Sequence, residues 1–246
     1  MPFEISLNAR HGHHWHAFIR RLLRALGMSI PDPLSLDNLN DPLRVGLERP
    51  VEEYVLTVLS KYVNLNVGCE KLFRVIKVEI RREGTASRHE YLVAHVVVSG
   101  DTHYIVIERL GCQQPILAAM AAAYDRVKVS DHPYKSYRDT IVETLNLSER
   151  NLYLHELLVA ASHTHHCINS YKLFSTNCYW FVGSLMGLLQ SYIGQELVHK
   201  SNRAGHWSAT PVSLRPKNPE EMMILAENLK CLRQDIAIFS EKVSPT

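Results

Sequence analysis

Cys178 stands where a polar turn, Ser175-Thr176-Asn177, runs into an apolar helical pattern, YWFVGSLMGLL. Ser, Thr and Asn cap helix starts because their side-chain oxygens accept the free amide hydrogens of the first turn. The spacing therefore puts Cys178 in a first turn, where the helix dipole and unpaired N–H groups stabilise a negative sulfur. A thiol in that setting has a lowered pKa and becomes a nucleophile. The competing reading is a small apolar side chain buried at a helix start, a common fate of cysteine.

A nucleophilic thiol needs a base within hydrogen-bond reach and a third group to orient that base. His89 opens a β-branched run, Glu90 to Val98, and a second run, Tyr104 to Leu110, follows a Ser-Gly-Asp-Thr turn. Strand, glycine turn and strand predict an antiparallel hairpin. With Ser99-Gly100 as the turn, Val98 faces Asp101. Tyr91, Val93 and His95 then share a face with Tyr104, Val106 and Glu108. Glu108 becomes a diagonal neighbour of His89 and the choice for its orienting carboxylate. His103 points to the other face and is held in reserve as third member. His95, inside an apolar run, reads as a satisfied core histidine. Glu108-Arg109 has a plainer reading as a surface ion pair of little worth.

The elements around these residues follow from period and punctuation. Pro50 opens a helix over about residues 51–63, with Val55, Leu56, Leu59 and Val63 on one face. Phe73 to Ile80 and Arg126 to Val129 read as strands, and Pro115 to Tyr124 as helical. A helix capped by Ser148 extends to Cys167. Trp207 to Leu214 reads as a strand and Pro219 to Phe239 as an amphipathic helix. The order predicts an α+β fold: a small antiparallel sheet with the nucleophile helix packed on it and extra helices at both ends. Three segments result: an N-terminal helical segment (1–70), an α+β core (71–215) and a C-terminal helix (216–246).

Composition narrows the classes. The 246 residues are 46% hydrophobic and 21% charged, ordinary for a globular chain. A formal charge of +2 gives no electrostatic argument for nucleic acid or an acidic membrane. There is no apolar run long enough to span a bilayer and no secretory layout at the N-terminus. Five cysteines, irregularly spaced and without a C-x-x-C pair, predict reduced thiols in the cytoplasm. Of the 14 histidines, His11, His13, His14 and His16 precede a basic helix and read as a solvated helix start. His163, His166 and Cys167 share a helix face and form the alternative zinc set, against the closed four-ligand geometry zinc requires. The expectation is no metal and no cofactor.

The run Tyr171-x-Leu173-x-x-x-Asn177-Cys178-x-x-Phe181 resembles the NC-x-x-F nucleophile motif of circularly permuted papain-like (NlpC-type) thiol hydrolases. These include the lecithin–retinol acyltransferase-like and PPPDE-like groups. His89-Glu90-Tyr91-Leu92-Val93-Ala94 is similar to their histidine strand, and the order His89 then Cys178 is the permuted one. The texture also looks like that of fungal proteins carrying an NCYWF motif. The likeness covers about residues 88–190. It implies Cys178 as nucleophile, His89 as general base, a third polar residue on the next strand (Glu108), and an acyl-enzyme intermediate. The Cys178 N–H would serve an oxyanion hole, Asn177 would shape the turn, and Tyr179 and Trp180 would line a cleft. The sequence departs from relatives in carrying bulky Tyr179-Trp180 after the cysteine and in lacking an acyltransferase-type membrane anchor.

The expected function is a cysteine-dependent hydrolase or acyltransferase acting on an amide, isopeptide or ester bond of a protein, peptide or acyl substrate. The rival expectation is a catalytically silent protein-interaction module on the same fold.

Overall fold

The computed structural model describes residues 42–65, 73–85, 88–110, 121–167, 170–171, 177–194, 196, 198–202 and 204, with helical positions at 223, 227, 229, 230, 233 and 234. The chain divides into Met1–Asn38 and Leu39–Thr246, and all elements below belong to the second unit. The histidines at 11–16 and the segment Trp207 to Leu214 lie outside the described residues.

The sheet grows from one hairpin. β3 (Glu90–Val98) and β4 (Asp101–Leu110) pair antiparallel from Val98↔Asp101 to Leu92↔Ile107. Ser99 (φ 52°) and Gly100 (φ 99°) both take the left-handed region, as a two-residue primed turn matching the strand twist requires. On β3's other edge lies β2 (Arg74–Arg82); on β4's lies β6 (Tyr124–Ser130). β1 (Glu48–Pro50) closes the β6 edge, and β7 (Thr140–Asn146) continues beyond β2 to β10 (His199–Lys200). β8 (Leu152–Tyr153) shares β2's edge with β7. Among the described residues the sheet has eight strands, all antiparallel, and is larger than the small sheet expected. A separate ribbon joins β5 (Ala121–Ala122) to β9 (Ser170–Tyr171), ahead of the cysteine.

Three helices with described bounds accompany the sheet. α1 (Val51–Leu65) follows β1 directly and packs on β6 and α2. It lies in the same unit as the sheet. α2 (Leu154–Cys167) starts later than expected. Leu152 and Tyr153 are drawn into pairing with Val75 and Arg74, and Glu156 reaches back to cap the Tyr153 N–H at 2.7 Å, replacing Ser148 as the start signal. Ala121, Ala122 and Tyr124, expected as a helix end, are strand residues.

α3 (Cys178–Ile193) packs on β3 and β4, burying Phe181, Leu185, Leu188 and Leu189. Truncating one such leucine to alanine costs about 2–5 kcal/mol in a core of this kind. The sheet face beneath is apolar, with Leu92, Ala94, Ile105 and Ile107 fully buried. Buried ion pairs interrupt it, Arg82 with Glu90 and Arg109 with Asp125. Arg109 is wholly buried, forks onto Asp125 at 2.8 and 2.7 Å, and lies under the rings of Phe181 (4.7 Å) and Trp180 (5.7 Å). The opposite face carries Glu79, His95, Tyr91, Val106 and Glu108. Glu108 and Arg109 are thus split between faces, each with its own partners, and do not form a surface pair.

Candidate active site

The start of α3 is built by Asn177. Its side chain accepts from the Trp180 N–H at 3.2 Å and its carbonyl from the Phe181 N–H at 3.0 Å, so capping fixes where the helix begins. Cys178 is the first helical residue, a position whose N–H has no intrahelical acceptor. The residue is 5% exposed and its thiol is free. Asn177→Ala is expected to lower unfolding stability by about 1 kcal/mol, read as a lower urea midpoint. An unchanged midpoint would show that the cap contributes nothing.

His89 is held from both sides. Arg88 before it adopts φ 48°, a left-handed conformation costing about 1–2 kcal/mol for such a residue. The Arg88 carbonyl accepts from the Tyr179 hydroxyl at 2.7 Å, and the His89 carbonyl accepts from the Glu83 N–H at 2.9 Å. Tyr179 follows Cys178 in sequence, so this bond ties the start of α3 to the histidine loop. Tyr179 and Trp180 are 3% and 1% exposed. They are packing and positioning residues where the sequence reading had them lining a cleft.

The imidazole joins the two elements. Its Nε2 lies 2.8 Å from Glu108 Oε2, and the ring is near enough to the Cys178 side chain for that group to shift its pKa. Burial, the largest influence, pushes the His89 pKa down. Its interactions with Cys178 and Glu108 outweigh it, raising the value to about 9. His89 is therefore an imidazolium at neutral pH.

Glu108 is wholly buried, and burial alone would raise its pKa. Its hydrogen bond to His89 and the neighbouring Lys135 ammonium bring it instead to about 2. Oε1 also accepts from Arg126, at 2.9 Å, and Lys135 Nζ donates to Oε2. Lys135 bridges on to Glu83 at 3.0 Å. Glu83, His89 and Glu108 converge as a cation site would, and the Lys135 ammonium already supplies the cation. Tyr91 stacks near His89, with ring centroids 6.5 Å apart, and donates to Asp139 at 2.7 Å.

Cys178, His89, Glu108 and Asn177 are thus brought together. His103 is not: it pairs with Val96, faces the other side of the sheet, and lies five residues from Glu108, about 16 Å along the strand. Sequence reasoning missed Arg126 and Lys135. Arg126 sits directly opposite Glu108 across β4 and β6, a pairing that needs the register of a strand beyond a long connection. Lys135 comes from the loop between β6 and β7 and carries no local signal.

Among the described residues, no helix is long and apolar enough to cross a membrane. Comparison with family models, curated proteins and solved structures finds no match.

Proposed function

We propose that this chain is a cysteine-dependent hydrolase or acyltransferase that opens an amide, isopeptide or ester bond, with a permuted papain-like arrangement of its site. The observation that carries the reading is one imidazole hydrogen-bonded to a buried carboxylate and electrostatically coupled to a helix-start cysteine. In the first half-reaction the Cys178 sulfur attacks the carbonyl carbon, and the oxygen gains the negative charge near the Cys178 N–H. Collapse expels the leaving group, which takes its proton from the His89 imidazolium, and a thioester remains. Water, or an acceptor hydroxyl or amine, then gives its proton to neutral His89 and attacks the thioester, releasing the thiolate. Glu108 holds the ring orientation and the positive charge throughout.

Beside the loop leading into His89 lies a cavity of about 640 Å³, with Arg82, Arg88 and Arg138 among its lining residues. Its size suits a small ligand or a few peptide residues. A peptide or isopeptide carbonyl is the favoured substrate.

The 5% exposure of Cys178 favours a second reading, a catalytically silent interaction module. Acyl trapping separates the two. Incubation with 4-nitrophenyl acetate should leave one acetyl group on Cys178 by peptide mass spectrometry, with a matching burst of 4-nitrophenol, and Cys178→Ala should abolish both. Acetylation spread over the other cysteines, or none at Cys178, would leave the silent module standing.

A further inference from the structure

The last turn of α2 meets the first turn of α1 in a second cluster, separate from Cys178. His166 Nε2 lies 3.0 Å and His165 Nε2 3.7 Å from Glu52 Oε1, and all three atoms lie within 4.8 Å of one another. Tetrahedral ligands 2.0–2.1 Å from a zinc ion stand about 3.3 Å apart, so small side-chain movements bring this trio onto one centre.

The surroundings favour a cation. His165 Nδ1 lies 2.8 Å from Asp125 Oδ2, a carboxylate held in place by the buried Arg109 fork. A histidine with one ring nitrogen on a carboxylate has its tautomer fixed and its other nitrogen lone pair presented outward, as metal-bound histidines do. His166 Nε2 is buried and, although close to Glu52, makes no hydrogen bond. Among the described residues no lysine or arginine pairs with Glu52, unlike the first cluster, where Lys135 fills the cation position. Glu52 and His166 are about one-third exposed, which leaves a path for an ion and a water.

We propose that Glu52, His165 and His166 form a binding site for a divalent transition metal, zinc in the first instance, with Asp125 orienting His165 and water in the fourth position. The set differs from the one read in the sequence: His165 replaces His163, and the carboxylate comes from another helix. An ion there clamps α1 to α2 without using the thiol.

The test is zinc titration of the full chain after chelator treatment, in competition with a chromophoric chelator, alongside cobalt absorption spectra. Wild type and Cys178→Ala should bind one equivalent that His165→Ala and His166→Ala lose. Glu52→Gln, at a partly exposed position, should fold normally and bind at least tenfold more weakly. Cobalt should give intense visible bands of a four-coordinate site in wild type and lose them in His166→Ala. The proposal is overturned if His166→Ala keeps wild-type stoichiometry and affinity, which would place the zinc elsewhere, such as the histidines at 11–16. It is equally overturned if no protein binds zinc at micromolar concentration. Acetylation of Cys178 is an independent readout and should be unchanged in Glu52→Gln.

Discussion

His89→Ala is expected to slow acylation of Cys178 at pH 7 by about 10²- to 10⁴-fold, the range lost when a positioned acid–base group is removed. The magnitude follows from what the ring does. In the proposed reaction it stands beside the sulfur and, as an imidazolium with a pKa raised to about 9, would supply the neighbouring positive charge and the proton for the leaving group. Alanine removes all of this and leaves the sulfur at a helix start, whose dipole is worth only about 0.3–1 kcal/mol. The Glu108 and Tyr179 contacts persist or relax locally, so the fold should survive, as circular dichroism would show. Stopped-flow release of 4-nitrophenol, with wild type, His89→Ala and Cys178→Ala in parallel, measures the loss. A His89→Ala rate within twofold of wild type would remove the imidazole from the chemistry and with it the proposed hydrolase.

How much of this arrangement the sequence discloses depends on the range over which each contact is specified. The hairpin is legible because Ser99-Gly100 accepts only a primed turn and β-branched residues flank it; the register then follows. Glu108 beside His89 was a consequence of that register. Cys178 at a helix start follows from three local polar residues. What stayed hidden is non-local. The β4–β6 pairing that brings Arg126 to Glu108 spans a connection of no readable register. β7 was overlooked, although Thr140, Ile141, Val142 and Thr144 form a β-branched run that marks it. Glu52 meets His165 and His166 only through helix packing, which no spacing in one segment encodes. The aromatics after Cys178 were misplaced because bulk alone does not distinguish a cleft wall from a core, and the Arg109 charge beneath Trp180 draws that ring inward.

Glu108→Ala is expected to destabilise the fold by about 3–5 kcal/mol, the cost of removing one partner from a buried charge cluster. The carboxylate has no solvent contact and answers His89, Arg126 and Lys135 together. Arg126 and Lys135 are partly exposed and can turn to water, so the larger share of the cost falls on His89, whose side chain is 15% exposed. Glu108→Gln keeps the shape and loses the charge, and should cost less. The two titrations give the stability a defined pH window. Glu108 has its folded pKa lowered to about 2 from 4.5, so its contribution is present above pH 4.5 and disappears as pH falls towards 2. His89 has its folded pKa raised to about 9 from 6.5, so its contribution is complete below pH 6.5 and disappears as pH rises through 9. Wild type should therefore be most stable between about pH 4.5 and 6.5 in so far as this cluster governs it, and Glu108→Gln should flatten both limbs. Urea midpoints across pH 3–10 measure the flattening. In the same variant the alkaline limb of the acylation profile should move below 9, because the imidazolium loses one of the two partners that hold its proton. A limb that stays in place would show that Cys178 alone keeps His89 charged, and that Glu108 is a packing residue with no part in tuning the nucleophile.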